Sequence, residues 1–144
     1  MVMVLYARDI VEKDFLALSP DETVLQGARV MKQSNHGFAV IGPKKKPLGI
    51  VTEWDIVAQV VAEGKDPNKM TMEEIMSKDL VFVEGSAGLA AVAQIMTQKG
   101  VRRLLVEENH VVTGVITAKE MLARMNDYVD KVSSQISRLQ APWI

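Results

Sequence analysis

Cysteine is absent from the chain. This excludes disulfide bridges, thiolate nucleophiles and cysteine-ligated metal sites, and it fits a reducing compartment. His36 and His110 are the only histidines, and two imidazoles this far apart do not make a metal site. There is also no charge imbalance. With 17 basic and 18 acidic residues the formal net charge is −1, so no global positive field draws nucleic acid or an anionic membrane surface. No apolar run approaches the ~20 residues needed to span a bilayer, and Met1 to Tyr6 is too short for the hydrophobic region of a signal peptide. Carboxylates are available at Glu53, Asp55, Glu73, Glu74, Glu107 and Glu108, but no nucleophile motif, Walker loop or metal-ligand spacing accompanies them. These absences predict a soluble, cytoplasmic, non-enzymatic protein that binds neither nucleic acid nor membrane.

What is present is an internal repeat. Residues 9 to 63 and 74 to 128 align without a gap at an offset of 65, through Ile10/Ile75, Lys13/Lys78, Asp14/Asp79, Ala28/Ala93, Met31/Met96, Gln33/Gln98, Gly49/Gly114, Thr52/Thr117 and Ala58/Ala123. A long period seen only twice indicates a duplicated half-module, because a solenoid needs several repeats to bury its faces. At 144 residues and 48% hydrophobic content the chain is large enough for one ordinary core.

Each repeat alternates strand and helix signals. Val24, Ala28 and Met31, and their counterparts Leu89, Ala93 and Met96, recur at i, i+4 and i+7, which marks one amphipathic helix per repeat. Thr23 with Gln26 makes a capping box for the first, and Ser19 with Glu22 is a competing start. Short apolar runs follow in pairs, Phe38 to Ile41 with Leu48 to Val51, and Leu104 to Val106 with Val112 to Ile116, each pair split by a turn and so read as a hairpin. The first turn carries Lys44, Lys45 and Lys46 between prolines and reads as a solvated tip. A short strand opens each repeat, at Phe15 to Leu18 and Leu80 to Val83, and a second helix closes it. The predicted fold is α/β (α+β), two tandem β-α-β-β-α units, with residues 1–71 as the first repeat with its N-terminal segment and linker and 72–127 as the second. Each half alone leaves one sheet face uncovered, so the two sheets should pack together.

The duplicated unit, with its segments PLGIVTEWDI (Pro47 to Ile56), VTGVITAKEM (Val112 to Met121), DETVLQGARVM and GVRRLLVEE, resembles a pair of CBS domains, also called a Bateman module. The resemblance covers about nine tenths of the chain. It implies a regulatory module that binds AMP, ADP or ATP and acts through a protein effector. S-adenosylmethionine is an alternative ligand, and a scaffolding dimer with vestigial clefts an alternative role. It also implies a homodimer, a flat disc of two modules joined through their helices, for which Val60, Met121 and Met125 are candidate contacts that could equally face the core.

The site residues follow from that resemblance. Gly49 in the strand admits a ligand or a backbone to close approach. Thr52 stands at a helix N-terminus suited to phosphate, and Asp55 on the first turn takes the family's ribose-binding position. The same T-x-x-D spacing is also a plain capping box. For Thr117 and Glu120 the capping reading is the stronger, since Glu is the better capping-box residue. Arg102 and Arg103, opposite Gly37 and Phe38 in the first repeat, are the implied phosphate donors. Crosswise, Asp79, Val81 and Val101 would flank an adenine whose ribose rests on Asp55, while Leu16, Asp14 and His36 would serve a second site.

Beyond Met125, a stripe of Tyr128, Val132, Ile136 and Leu139 continues to Pro142 and Trp143. Residues 128–144 read as a C-terminal helical extension, either prolonging the last helix or forming an arm across the dimer, with Trp143 docked. Trp54 reads as a packing or dimer residue.

Overall fold

The computed structural model describes residues 5–139. Pro142 and Trp143 lie outside them. The elements are α1 (Ala7–Ile10), β1 (Leu16–Leu18), α2 (Val24–Ser34), β2 (Phe38–Ile41), β3 (Gly49–Thr52), α3 (Glu53–Ile56), which runs on as a π-helical turn over Val57–Val61, α4 (Met72–Ile75), β4 (Phe82–Glu84), α5 (Leu89–Lys99), β5 (Arg103–Glu108), β6 (Val111–Thr117) and α6 (Ala118–Ser137). The helices and strands of the duplicated unit are therefore present in both repeats. Two one-turn helices, α1 and α4, precede them, and neither is long enough to show a periodic signal in sequence.

Each repeat builds a three-stranded sheet, β1-β2-β3 and β4-β5-β6, with a parallel first pair and an antiparallel second. The central strand β2 is buried at all four residues, which explains why Phe38 to Ile41 is an unbroken apolar run. Thr23 caps α2, its side chain accepting from the Gln26 N–H, whereas Ser19 only closes a turn before it. Both α2 and α5 stop at a left-handed residue, Asn35 and Gly100, which are counterparts at offset 65. Such a residue lets the last carbonyls be satisfied as the chain turns away.

The sheets pack face to face through Phe15, Phe38 and Val40 from one repeat and Leu105, Val112 and Val115 from the other. The outer cores are each completed by the segment that precedes the opposite repeat. Ala7 and Ile10 are buried with Val83, Val92, Leu104 and Ile116 of the second repeat, while Met72 and Ile75 are buried with Val24, Ile41, Val51 and Val60 of the first. The crossing is held by backbone. Glu12 exchanges hydrogen bonds of 2.8 and 3.0 Å with Val115, and Ser77 exchanges bonds of 3.0 and 2.9 Å with Ile50.

This exchange accounts for the paired strand glycines. A Cβ on Gly49 would stand 2.8 Å from the Ser77 carbonyl oxygen, and one on Gly114 would stand 2.5 Å from that of Glu12. The close approach anticipated at Gly49 is thus made by the chain's own backbone. Val60 and Met121, considered as dimer contacts, are core residues at 0% and 7% exposure. Met125 is exposed, as are Trp54, Val57 and Val61.

Candidate functional site

The duplicated halves leave two clefts where the repeats meet, each made from both. The narrow cleft, of about 200 Å³, is lined by Ile50 and Thr52 from the first repeat and, from the second, by Ser77, Asp79, Val81, Val101, Arg102 and Arg103 among others. It gathers six of the seven residues expected around one nucleotide. Asp55 is the seventh and does not line it. Its Oδ2 accepts from the Thr52 backbone N–H at 2.8 Å and from the Thr52 hydroxyl at 3.0 Å, and Thr52 Oγ1 in turn accepts from the Asp55 N–H at 3.3 Å. Both halves of a capping box are therefore made, and Asp55 Oδ1 makes no hydrogen bond to the described residues.

The wide cleft, of about 920 Å³, is lined by Asp14, His36, Gly37, Phe38, Thr117 and Glu120, together with Glu12, Lys32, Glu53, Lys119 and Arg103. Four of the five residues expected at a second site converge there. Leu16 is not part of the lining. Thr117 accepts from the Glu120 N–H at 3.1 Å, which is half of a capping box, so the Glu120 side chain is not committed to its own helix start. Glu12 and Ser77 were not anticipated as cleft residues. They are counterparts at offset 65, each two positions before the aspartate of its cleft, and that register was the available signal.

Arg103 belongs to both clefts. Its guanidinium carbon lies 4.9 Å from the centroid of the Phe38 ring, so it stacks on the residue that takes its place in the first repeat. Its Nε is buried and has no hydrogen-bond partner among the described residues, and the same holds for His36 Nδ1 across the wide cleft. Buried polar nitrogens left unpaired are uncommon and call for an explanation. Burial lowers the pKa of Arg103 from the ordinary arginine value. Arg102 lowers it further, while Glu53 and Asp55 oppose the shift. An arginine so placed stays cationic and is underpaired for its charge. Arg102, which is exposed, stands at the rim of the narrow cleft.

A CBS domain model matches residues 7–62 and again 72–127. The chain belongs to the CBS-domain family. Among its relatives, an uncharacterized protein of Methanopyrus kandleri is 31% identical over 134 residues, covering 92% of this chain and 68% of the relative. Hypoxic response protein 1 of Mycobacterium tuberculosis is 26% identical, covering 85% of this chain and 86% of the other. Among solved structures, a hexameric CBS-CP12 protein from bloom-forming cyanobacteria is 33% identical with a TM-score of 0.77, covering 89% of this chain and 75% of that one. The CBS pair is typically a regulatory ligand-binding module, and both repeats of this chain carry the family's match. No helix of the described residues is long and apolar enough to cross a membrane.

Proposed function

We propose that this CBS pair is a cytoplasmic, non-enzymatic sensor that binds AMP, ADP or ATP in the narrow cleft and passes the change in its shape to a protein effector. The observation that carries this reading is the convergence of Arg102 and Arg103 from one repeat with Thr52 from the other. Asp79, Val81 and Val101 line the same cleft. Two guanidinium groups beside a helix N-terminus suit phosphate oxygens, and the apolar pair suits a base. Asp55, with Oδ1 unused, is one step from the cleft for the ribose. A nucleotide bridging the halves would hold them in one relative position. The cleft of about 200 Å³ is below the ~300–1,000 Å³ usual for ligand pockets, so binding is coupled to widening, and that coupling is what a sensor requires.

One observation favours the scaffold reading. Thr52 and Asp55 satisfy each other without any ligand, as a helix cap alone would. Isothermal titration with AMP, ADP, ATP and S-adenosylmethionine separates the two. The sensor reading expects micromolar binding of a phosphorylated adenosine, weakened at least tenfold by Asp55→Ala. Its stoichiometry counts the occupied clefts. No heat from any of the four, in a folded protein, rejects the sensor, and binding of S-adenosylmethionine alone replaces the ligand.

The exposed faces of α3 with its π-helical turn, and of α6, present Trp54, Val57, Val61, Leu122 and Met125. Apolar exposure on this scale fits association of modules into a homodimer through these helices.

A further inference from the structure

The two clefts are built from equivalent pieces of the two repeats, yet their charges are opposed. In the narrow cleft Arg102 and Arg103 are set against Asp79, the one carboxylate of its lining. The wide cleft carries the carboxylates of Glu12, Asp14, Glu53 and Glu120 against three cations, and one of those cations is the shared Arg103.

The inversion centres on Glu53. At offset 65 its counterpart is Ala118, and the residue it lies against, Gly37, is the counterpart of Arg102. The backbone is the same in both halves. The Glu53 N–H donates to the Gly37 carbonyl at 3.0 Å, and the Ala118 N–H donates to the Arg102 carbonyl at 2.8 Å. The side chains differ. A Cβ on Gly37 would overlap Glu53 Oε1 and stand 3.3 Å from its Cδ, so the side chain that glycine lacks leaves the space the carboxylate fills. One half presents a guanidinium beside its helix start, and the other presents a carboxylate.

The Glu53 head group is not needed to hold the fold. Thr52 and Asp55 already cap α3, and the one ion pair among the described residues joins Arg8 to Glu108. Its charge nonetheless reaches Arg103. Burial lowers the Arg103 pKa, and Glu53 is the foremost charge opposing that shift.

On the nucleotide-sensor reading, on which this rests, we infer that Glu53 is the specificity-determining residue that reserves phosphorylated ligands for the narrow cleft, so that one nucleotide binds per chain. Two effects act together. A carboxylate repels a phosphate at close range, by about tenfold or more in affinity where water is partly excluded, and a repulsive group of this kind rejects a ligand without weakening the other site. Arg103 is also a single guanidinium for two clefts. A nucleotide in the narrow cleft that engages it leaves the wide cleft with four carboxylates and two lysines, which opposes a second phosphorylated ligand further.

Titration calorimetry of the full chain with AMP, ADP and ATP tests this in the parent, Arg102→Gln, Glu53→Gln and Glu53→Lys, with thermal unfolding to establish that each is folded. Glu53 is exposed, so neither substitution there disturbs the core. The parent should take one nucleotide per chain, and Arg102→Gln, at the rim of the narrow cleft, should weaken it at least tenfold. Glu53→Lys should take two, the second at least tenfold tighter than any second event in the parent, with Glu53→Gln between. Two equivalent nucleotides on the parent, or a single one that Arg102→Gln does not weaken, overturns the inference and leaves a nucleotide sensor standing. A Glu53→Lys chain that still takes one nucleotide also overturns it. No heat from the parent or from Glu53→Lys rejects the sensor reading itself, and the inference with it.

Discussion

Arg103 concentrates the tension between stability and binding in one side chain. Its Nε is buried without a partner among the described residues, its charge is partly desolvated, and its guanidinium lies over the Phe38 ring. A buried unsatisfied donor costs about 1–3 kcal/mol, more than a half-exposed cation–π contact returns. Arg103→Met keeps a contact to Phe38 through sulfur and removes the donor. Thermal unfolding without nucleotide should therefore show the variant more stable by ~1 kcal/mol, with its response to added nucleotide reduced at least tenfold in concentration. A variant less stable than the parent would show that Arg103 is structural. Thr52, Arg102 and Arg103 line one cleft, and that grouping was expected only from the resemblance to CBS pairs, since the residues taken alone do not say which positions meet across the pseudo-twofold. The commitment of Asp55 Oδ2 to Thr52 was not decidable, because T-x-x-D is the same string whether it caps a helix or holds a sugar.

At the scale of elements, the two repeats solve one problem with unequal means. Helix α2 is capped by Thr23, while α5 begins at the counterpart Gly88, which has no side chain to cap with. A Cβ at Gly88 would meet nothing within 4 Å, and its φ of −73° suits any residue. Gly88→Ser should therefore stabilise the protein by about 0.5 kcal/mol, since a cap gained is worth little more than the flexibility of glycine already offered. Urea denaturation midpoints would register it, and a lowered midpoint would mean that the backbone bridge from Tyr6 to Gly88 does not accept a side chain. The longer elements were legible from period, burial and caps. Helices α1 and α4 were not, since one turn carries no periodicity. The π-helical turn after α3 has no sequence signature either, as its residues Val57 to Val61 continue the apolar run of an ordinary helix.

For the whole molecule, the decisive feature is the exchange of the segments that precede each repeat. In sequence the halves divide near Thr71, but in space Ile10 is 4% exposed within the core of the second repeat and Ile75 is 1% exposed within that of the first. These two isoleucines are counterparts at offset 65, so the pseudo-twofold carries each into the other's half. Neither repeat holds a complete core without chain from across the boundary, and the sheets are further joined by the shared cluster around Phe38 and Leu105. Such coupling should make unfolding cooperative over the full module, even though the chain is built of two similar units. Ile10→Ala and Ile75→Ala should each cost about 2–5 kcal/mol, the range for truncating a buried isoleucine. Each should move the entire urea transition while leaving it single. Far-UV circular dichroism would follow the helices of both halves, and hydrogen exchange of β2 and β5 would report each half separately. If Ile10→Ala freed the amides of β5 while those of β2 kept their protection, the repeats would be independent folding units, and a ligand in one cleft could not be felt in the other. Equal loss in both strands would mean that the two clefts share one stability, so a ligand bound in either would stabilise the whole module.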